Sequence, residues 1–115
     1  MRVRNLTRST VLADRASEAL TLRSRMKGLL GRDALPAGEG LWIRPCTSIH
    51  SFFMRFVFDA LFLDRDRVVL HSIPRMKPWR LSRLVPGADG VLELPAGAIE
   101  ASGTQVGDRL VFERD

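Results

Sequence analysis

The sequence predicts a mainly β chain: a compact antiparallel β-barrel or sandwich-like domain with one α-helix in its N-terminal half, at about 17–30. Three observations predict it. The segments LWIRPC, IHSFFM, DALFLD, RVVLHSI, GVLEL and DRLVFE are short, rich in branched and aromatic residues, and bounded by Gly, Pro or Asp. Strands spaced by turns read this way. One stretch, SEALTLRSRMKGLLGRD, instead places apolar residues at three-to-four spacing. At 115 residues, 45% hydrophobic and 27% charged, the chain suits a single domain, 1–115, with one core.

Taken in order, VRNL and TVLADRA are short mixed segments. The second alternates weakly and is read as a strand. Ser17 is a suitable N-cap for the helix, and Glu18 suits its positive end. Leu20, Met26 and Leu30 could share a buried stripe. Gly31 would end the helix, with Pro36 beyond it. Gly28, inside the helix, weakens it by up to ~1 kcal/mol against alanine and can admit a close backbone contact. LDRDRVV reads as a hairpin connection. AGAIEASGTQVGD reads as a brief helical turn and a loop before the last strand. The loop from Pro74 to Gly90 carries three prolines, four basic residues and Trp79. It exceeds the ~12–15 residues usual for connections in compact domains, and such loops are often functional.

The stretch SIHSFFMRFVFDALFLD, residues 48–64, holds five of the six phenylalanines together with His50, Arg55 and Asp59. As one helix it would be apolar around most of its circumference. As one strand, its sixteen steps at ~3.3 Å would span about 53 Å, too long for a small domain. Two strands, about 49–54 and 59–64, with a bend near 55–58 fit better. Asp59 then opens the second strand and can accept bonds from backbone N–H groups of the bend. His50 shares a face with Phe52 and Met54; a half-buried histidine bonded to backbone is the commoner outcome at such a place. Arg55 is either a solvated bend residue with its stem packed on phenylalanines or a ligand contact.

Composition narrows the function classes. Cys46 is the sole cysteine, which excludes an intramolecular disulfide. The N-terminus lacks a continuous apolar h-region, so no signal peptide is predicted and a cytoplasmic location is expected. No apolar run approaches the ~20 residues of a membrane helix. The net charge is +5, but 16 of the 18 basic residues are arginines interleaved with 13 acids. Compositional bias explains this better than a nucleic-acid tail. Cys46 and His50 form C-x3-H without a second pair, and His71 lies on a different predicted strand. Neither a metal site nor a cofactor is expected. There is no Gly-rich phosphate loop and no G-x-S-x-G elbow.

GLLGRDALPAGEGLWIRPCTSIHSFFMRFVFDALFLD, followed by VLELPAG and GDRLVF, resembles the DUF192 family, also called UPF0127, over about 13–112. The resemblance implies a compact β-barrel or sandwich-like fold with one helix near the N-terminus, and it implies no established activity. The family's GL-x-GR falls on Gly28, Leu29, Gly31 and Arg32. Its His-x-Phe-x-Met-Arg element falls on His50, Phe52, Met54 and Arg55. Its strand-opening aspartate is Asp59, and the glutamate of LELPAG is Glu93. Val57 stands where many members have proline, which leaves the bend conformation open.

Arg32, His50, Arg55, Asp59 and Glu93 are therefore expected to gather near one pole, with Trp79 on the adjacent basic loop. The leading expectation is a binding module for an anionic or polar small ligand, since arginine forks and histidine suit such groups. One alternative is an enzyme using His50 as general acid/base with Asp59 or Glu93. Another, not favoured, is nucleic-acid binding through the basic 74–90 loop. In an architectural reading, the polar set only fixes the bend and the helix-to-sheet contact.

Overall fold

The computed structural model describes residues 1–114; within the first helix the side chains described are those of Ser24, Arg25 and Lys27. The strands are β1 (Arg2–Asn5), β2 (Thr10–Ala13), β3 (Arg15–Ala19), β4 (Glu39–Ile43), β5 (Phe58–Leu63), β6 (Val69–Met76), β7 (Gly90–Pro95) and β8 (Leu110–Glu113). The helices are α1 (Leu22–Lys27) and α2 (Ala98–Ser102). The strands form a three-stranded sheet, β2-β1-β8, and a five-stranded sheet, β3-β4-β7-β5-β6. The fold is mainly β and sandwich-like, and the described residues form no closed barrel. The pairing is antiparallel except between β3 and β4, which run parallel.

The helix is shorter and later than its apolar spacing predicts. Ser17 lies on β3, paired with Leu41 of β4. The ladder to β4 satisfies the backbone of 15–19, so a helix cannot begin there. The N-cap is Thr21. Its hydroxyl accepts from the Ser24 N–H at 3.1 Å, and Ser24 Oγ accepts from the Thr21 N–H at 3.1 Å. This reciprocal box compensates for a single turn and a half of helix. Gly28, not Gly31, is the C-cap, at φ 47 and ψ −125, a conformation that side chains other than glycine resist. Of the expected stripe, Leu20 is exposed and Leu30 half-buried, and the Met26 side chain lies outside the described residues.

The strand expected at 59–64 is β5. The one expected at 49–54 does not form: 52–53 is a turn, with Phe53 at φ 67, and His50 makes only an isolated bridge to Leu81. The cause is Ser51, which is fully buried. Its N–H donates to Arg80 O, and its hydroxyl donates to Lys77 O and accepts from the Arg80 N–H. These bonds tie segment 47–51 to 80–85 in place of a ladder. The long loop is shorter than the sequence indicates, because β6 runs on to Met76. The 64–68 hairpin forms as predicted, with Asp64 Oδ1 accepting from the N–H groups of Asp66 and Val68 at 2.9 Å.

Two apolar clusters lie on opposite faces of the five-stranded sheet. Leu61, Leu63, Leu92 and Leu94 face Val3, Leu12 and Leu110 of the smaller sheet and Ile99 of α2. Phe58, Ala60, Phe62 and Val91 face Leu29, Leu35, Ile49, Met54 and Val85, which come from irregular segments. The strand period of two thus puts successive residues of β5 and β7 into different cores. Gly90 admits the Trp42 ring: a Cβ there would stand 2.6 Å from Ile43 O and from the indole.

Asp59 is fully buried on the α2 side. Its Oδ1 accepts from the Arg75 N–H at 2.8 Å. Its Oδ2 accepts from the N–H groups of Gly97 at 3.2 Å and Ile99 at 2.9 Å. One carboxylate therefore holds the register irregularity of β6 and the start of α2. Asp59→Ala would strand three donors, and the expected loss is about 3 kcal/mol, or roughly 10 °C of melting temperature. Asp59→Asn should lose nearly as much, because its NH2 would face a backbone N–H. Thermal melts followed by circular dichroism check both.

Candidate functional site

Glu93 is the counterpart of Asp59 on the other face. It stands on β7 between Ala60 and Leu41 in register. The small Ala60 leaves space above it. Glu93 is 5% exposed and has no hydrogen-bond or ion-pair partner among the described residues. A recess of about 120 Å³ opens over it, between α1 and the sheet. Its walls include Arg25, Gly28, Ile43, Cys46, Ile49, His50, Met54 and Glu93. Exposed His50 and Lys27 at its edge bring its mouth to solvent.

Each wall has a local cause. At Gly28 a Cβ would lie 3.9 Å from Glu93 Oε1, so the glycine cap brings bare backbone close to the carboxyl. Arg25, one turn before, donates from Nη1 to Pro45 O at 3.0 Å. Its Nε is buried and has no partner among the described residues. Cys46 follows the cis Arg44–Pro45 peptide and donates from Sγ to Ser48 O at 3.0 Å. His50 Nδ1 accepts from the Phe52 N–H at 3.2 Å, and the ring stacks on Phe52 at 5.0 Å. With Nδ1 the acceptor, the neutral ring carries its proton on Nε2.

Burial acts on two ionisable walls. It favours the neutral form of Glu93 and pushes its pKa from 4.5 up to about 8. It also pushes the Cys46 thiol up. The Ser48 carbonyl bond and Arg25 oppose that rise, and Glu93 reinforces it. At neutral pH Glu93 is mainly a carboxylic acid, and Cys46 is a thiol rather than a thiolate nucleophile. Among the described residues no group of three or more His, Cys, Asp or Glu side chains is placed to hold a metal ion. His71 is on β6 against Phe62, outside the recess.

Of the residues singled out by motif, His50 and Glu93 come together as walls of the recess. Asp59 is on the opposite face with its acceptors filled. Arg32 pairs with Glu39 at 3.2 Å, and Arg55 pairs with Asp33 at 2.9 Å with both side chains exposed. Trp79 is not a wall; it packs its ring on Phe53 at 4.6 Å and Phe52 at 6.1 Å. Sequence reasoning missed Arg25, which reads as an ordinary polar position of an amphipathic helix, and Ser51. The signal for Ser51 was a lone hydroxyl within an apolar run.

A family model described as DUF192, Uncharacterized ACR, matches residues 4–112. The chain belongs to DUF192. It is similar to the UPF0127 protein of Thermococcus sibiricus, 38% identical over 66 residues, covering 57% of this chain and 42% of the relative. It is also similar to the UPF0127 protein of Pyrococcus furiosus, 39% identical over 67 residues, covering 58% of this chain and 57% of the relative. The match thus spans about half the length of these curated relatives. A crystal structure of a protein of unknown function from Novosphingobium aromaticivorans has a TM-score of 0.83 at 21% identity, covering 96% of this chain and 82% of that one. A putative transcription regulator from Sinorhizobium meliloti has a TM-score of 0.78 at 23% identity, covering 96% and 89%. At these identities the likeness concerns the DUF192 fold. Among the described residues no helix is long and apolar enough to cross a membrane.

Glu93 links stability to pH. Its carboxyl ionises near 4.5 in the unfolded chain and near 8 in the folded one. Between those values the folded DUF192 domain keeps a proton that the unfolded chain has released. Stability therefore falls as pH rises through that window and levels off above it. Glu93→Gln removes this dependence. The melting-temperature advantage of the variant over the wild type is expected to grow from about pH 4 to about pH 8. An advantage that does not vary with pH would mean that folding leaves the Glu93 pKa where it is in the unfolded chain.

Proposed function

We propose that this DUF192 domain is a binding module whose recess takes the carboxylate end of a small ligand. The observation that carries the reading is that two residues walling one cavity are unmatched among the described residues: Arg25, whose Nε is buried without a partner, and Glu93, whose carboxyl is in no hydrogen bond or ion pair. Leaving a buried donor such as Arg25 Nε unmatched costs about 1–3 kcal/mol, and a ligand that matches it recovers that. Arg25 Nε–H needs an acceptor. Glu93, kept protonated by burial, can donate a short O–H bond to the same carboxylate. His50 Nε2–H is a third donor at the wall. A cavity of ~150 Å³ holds benzene, so about 120 Å³ suits a carboxylate with one or two carbons.

The catalytic alternative, with His50 as acid/base, has Glu93 but not Asp59 within the recess. Binding is preferred because the Cys46 thiol is not activated and Glu93 is mainly a neutral acid at pH 7 beside the cationic Arg25 and Lys27.

Acetate is the probe. In an amide NMR titration at pH 7, acetate should shift the signals of Gly28, Cys46 and Ile49 saturably in the wild type. Arg25→Ala should weaken the effect about tenfold. Wild-type affinity should fall above about pH 8 as Glu93 ionises, whereas Glu93→Gln should retain its affinity there. No saturable shift in the wild type, or equal affinity in Arg25→Ala, would sink the reading.

A further inference from the structure

Beside the recess the surface changes character. Phe53 and Leu81 are each 70% exposed, Leu84 is 63% and Trp79 is 55% exposed. Phe53, Trp79 and Leu81 belong to one face: Trp79 contacts Phe53 and Phe52, Phe52 stacks on His50, and His50 bridges Leu81; Leu84 follows three residues on in the same loop. The exposure is enforced by backbone. Phe53 and Trp79 have φ 67 and φ 64, a region that bulky side chains rarely adopt. The buried Ser51, which accepts the Trp79 N–H on its carbonyl, holds both turns in place. Bulky residues kept in strained conformations by their surroundings cluster at functional surfaces.

Charge identifies what covers the face. Residues 40–58 and 67–88, which build it, contain no aspartate or glutamate. Lys77, Arg80 and Arg83 are exposed and have no acidic partner among the described residues. Ion pairs of these segments among the described residues are Arg55 with Asp33 and, at the segment ends, Arg44 and Arg67 with Asp89. The occupant must therefore be negatively charged and must also accept large apolar side chains. Nucleic acid meets the first need, and its bases could stack on Trp79 and Phe53. It offers nothing to Leu81 and Leu84, which have no π-face. An anionic bilayer meets both needs: acyl chains take the leucines and rings, headgroups hold Trp79 at their own depth, and phosphates and carboxylates meet the cations.

The geometry points to a peripheral docking face for anionic lipid membranes, formed by the 51–55 turn and the 77–84 loop. It is independent of the recess and its ligand. The face lies flat on the interface without any span.

The test is vesicle co-sedimentation with the full chain, using phosphatidylcholine vesicles with and without phosphatidylserine. Binding is expected only when phosphatidylserine is present, and it should weaken as salt is raised. Phe53→Ser combined with Leu81→Ser should weaken it about tenfold. Lys77→Glu combined with Arg80→Glu should abolish it. All four positions are exposed, so melting temperatures should stay near the wild type; Leu84→Ser is a further variant with the same expected direction. Trp79 fluorescence should shift to the blue on binding while buried Trp42 contributes a constant signal. Failure to bind phosphatidylserine vesicles at low salt would overturn the proposal, as would binding indifferent to Phe53 and Leu81. So would a dimer held by this face without vesicles, or binding of a single-stranded oligonucleotide that needs Trp79 but not Leu81.

Discussion

Burial of β5 and β7 on both faces constrains everything else in this molecule. A strand with one wet face can carry polar residues at every second position; these two cannot. Their twelve positions are apolar apart from Asp59, Glu93 and the terminal proline. The two carboxyls meet the same dielectric penalty in opposite ways. Asp59 is surrounded by three backbone donors and serves as a fixed joint. Glu93 has none among the described residues, so its ionised form is disfavoured. The same burial thus yields a rigid joint on one face and an unsatisfied group beneath a cavity on the other.

Much of this was legible in the sequence, and the failures have identifiable causes. The strand content, the 64–68 hairpin, the short turn of α2 and the architectural weight of Asp59 follow from period-two patterning and turn chemistry. The helix start was misplaced because a capping serine at 17 competes with a ladder to β4 that local reasoning does not see. The capping box that does start the helix, Thr21 with Ser24, has serine where glutamate or glutamine is usual, so it lacks the ordinary sequence signature. His50 and Glu93 share the recess because β7 faces both cores, which the alternation around Glu93 allowed without deciding the side. Arg32, Arg55 and Trp79 lie in the same motifs or a neighbouring loop, but sequence adjacency does not place side chains on one wall. Their ion pairs and ring contacts are tertiary outcomes.

The two faces of the five-stranded sheet are also covered by different means. On one side another sheet supplies a continuous ladder of backbone bonds. On the other, α1 and the segments around Leu35, Ile49 and Val85 cover the apolar surface with little repeating structure. Ser51 and Ser82 take over there, each closing bonds between chain segments about thirty residues apart. These hydroxyls supplement the few backbone bonds between the same segments, such as Ser82 N–H to Ile49 O and Val85 N–H to Thr47 O.

That difference bears on how the molecule opens. Ladders break cooperatively, at a cost near that of unfolding the whole. A cover held by a short set of backbone and hydroxyl bonds and scattered apolar contacts can detach in part while both sheets persist. In hydrogen exchange the amides of 46–54 and 78–85 would form a low-protection unit distinct from β5 and β7. The layer that encloses Glu93 would then also be the one through which solvent and small molecules reach it.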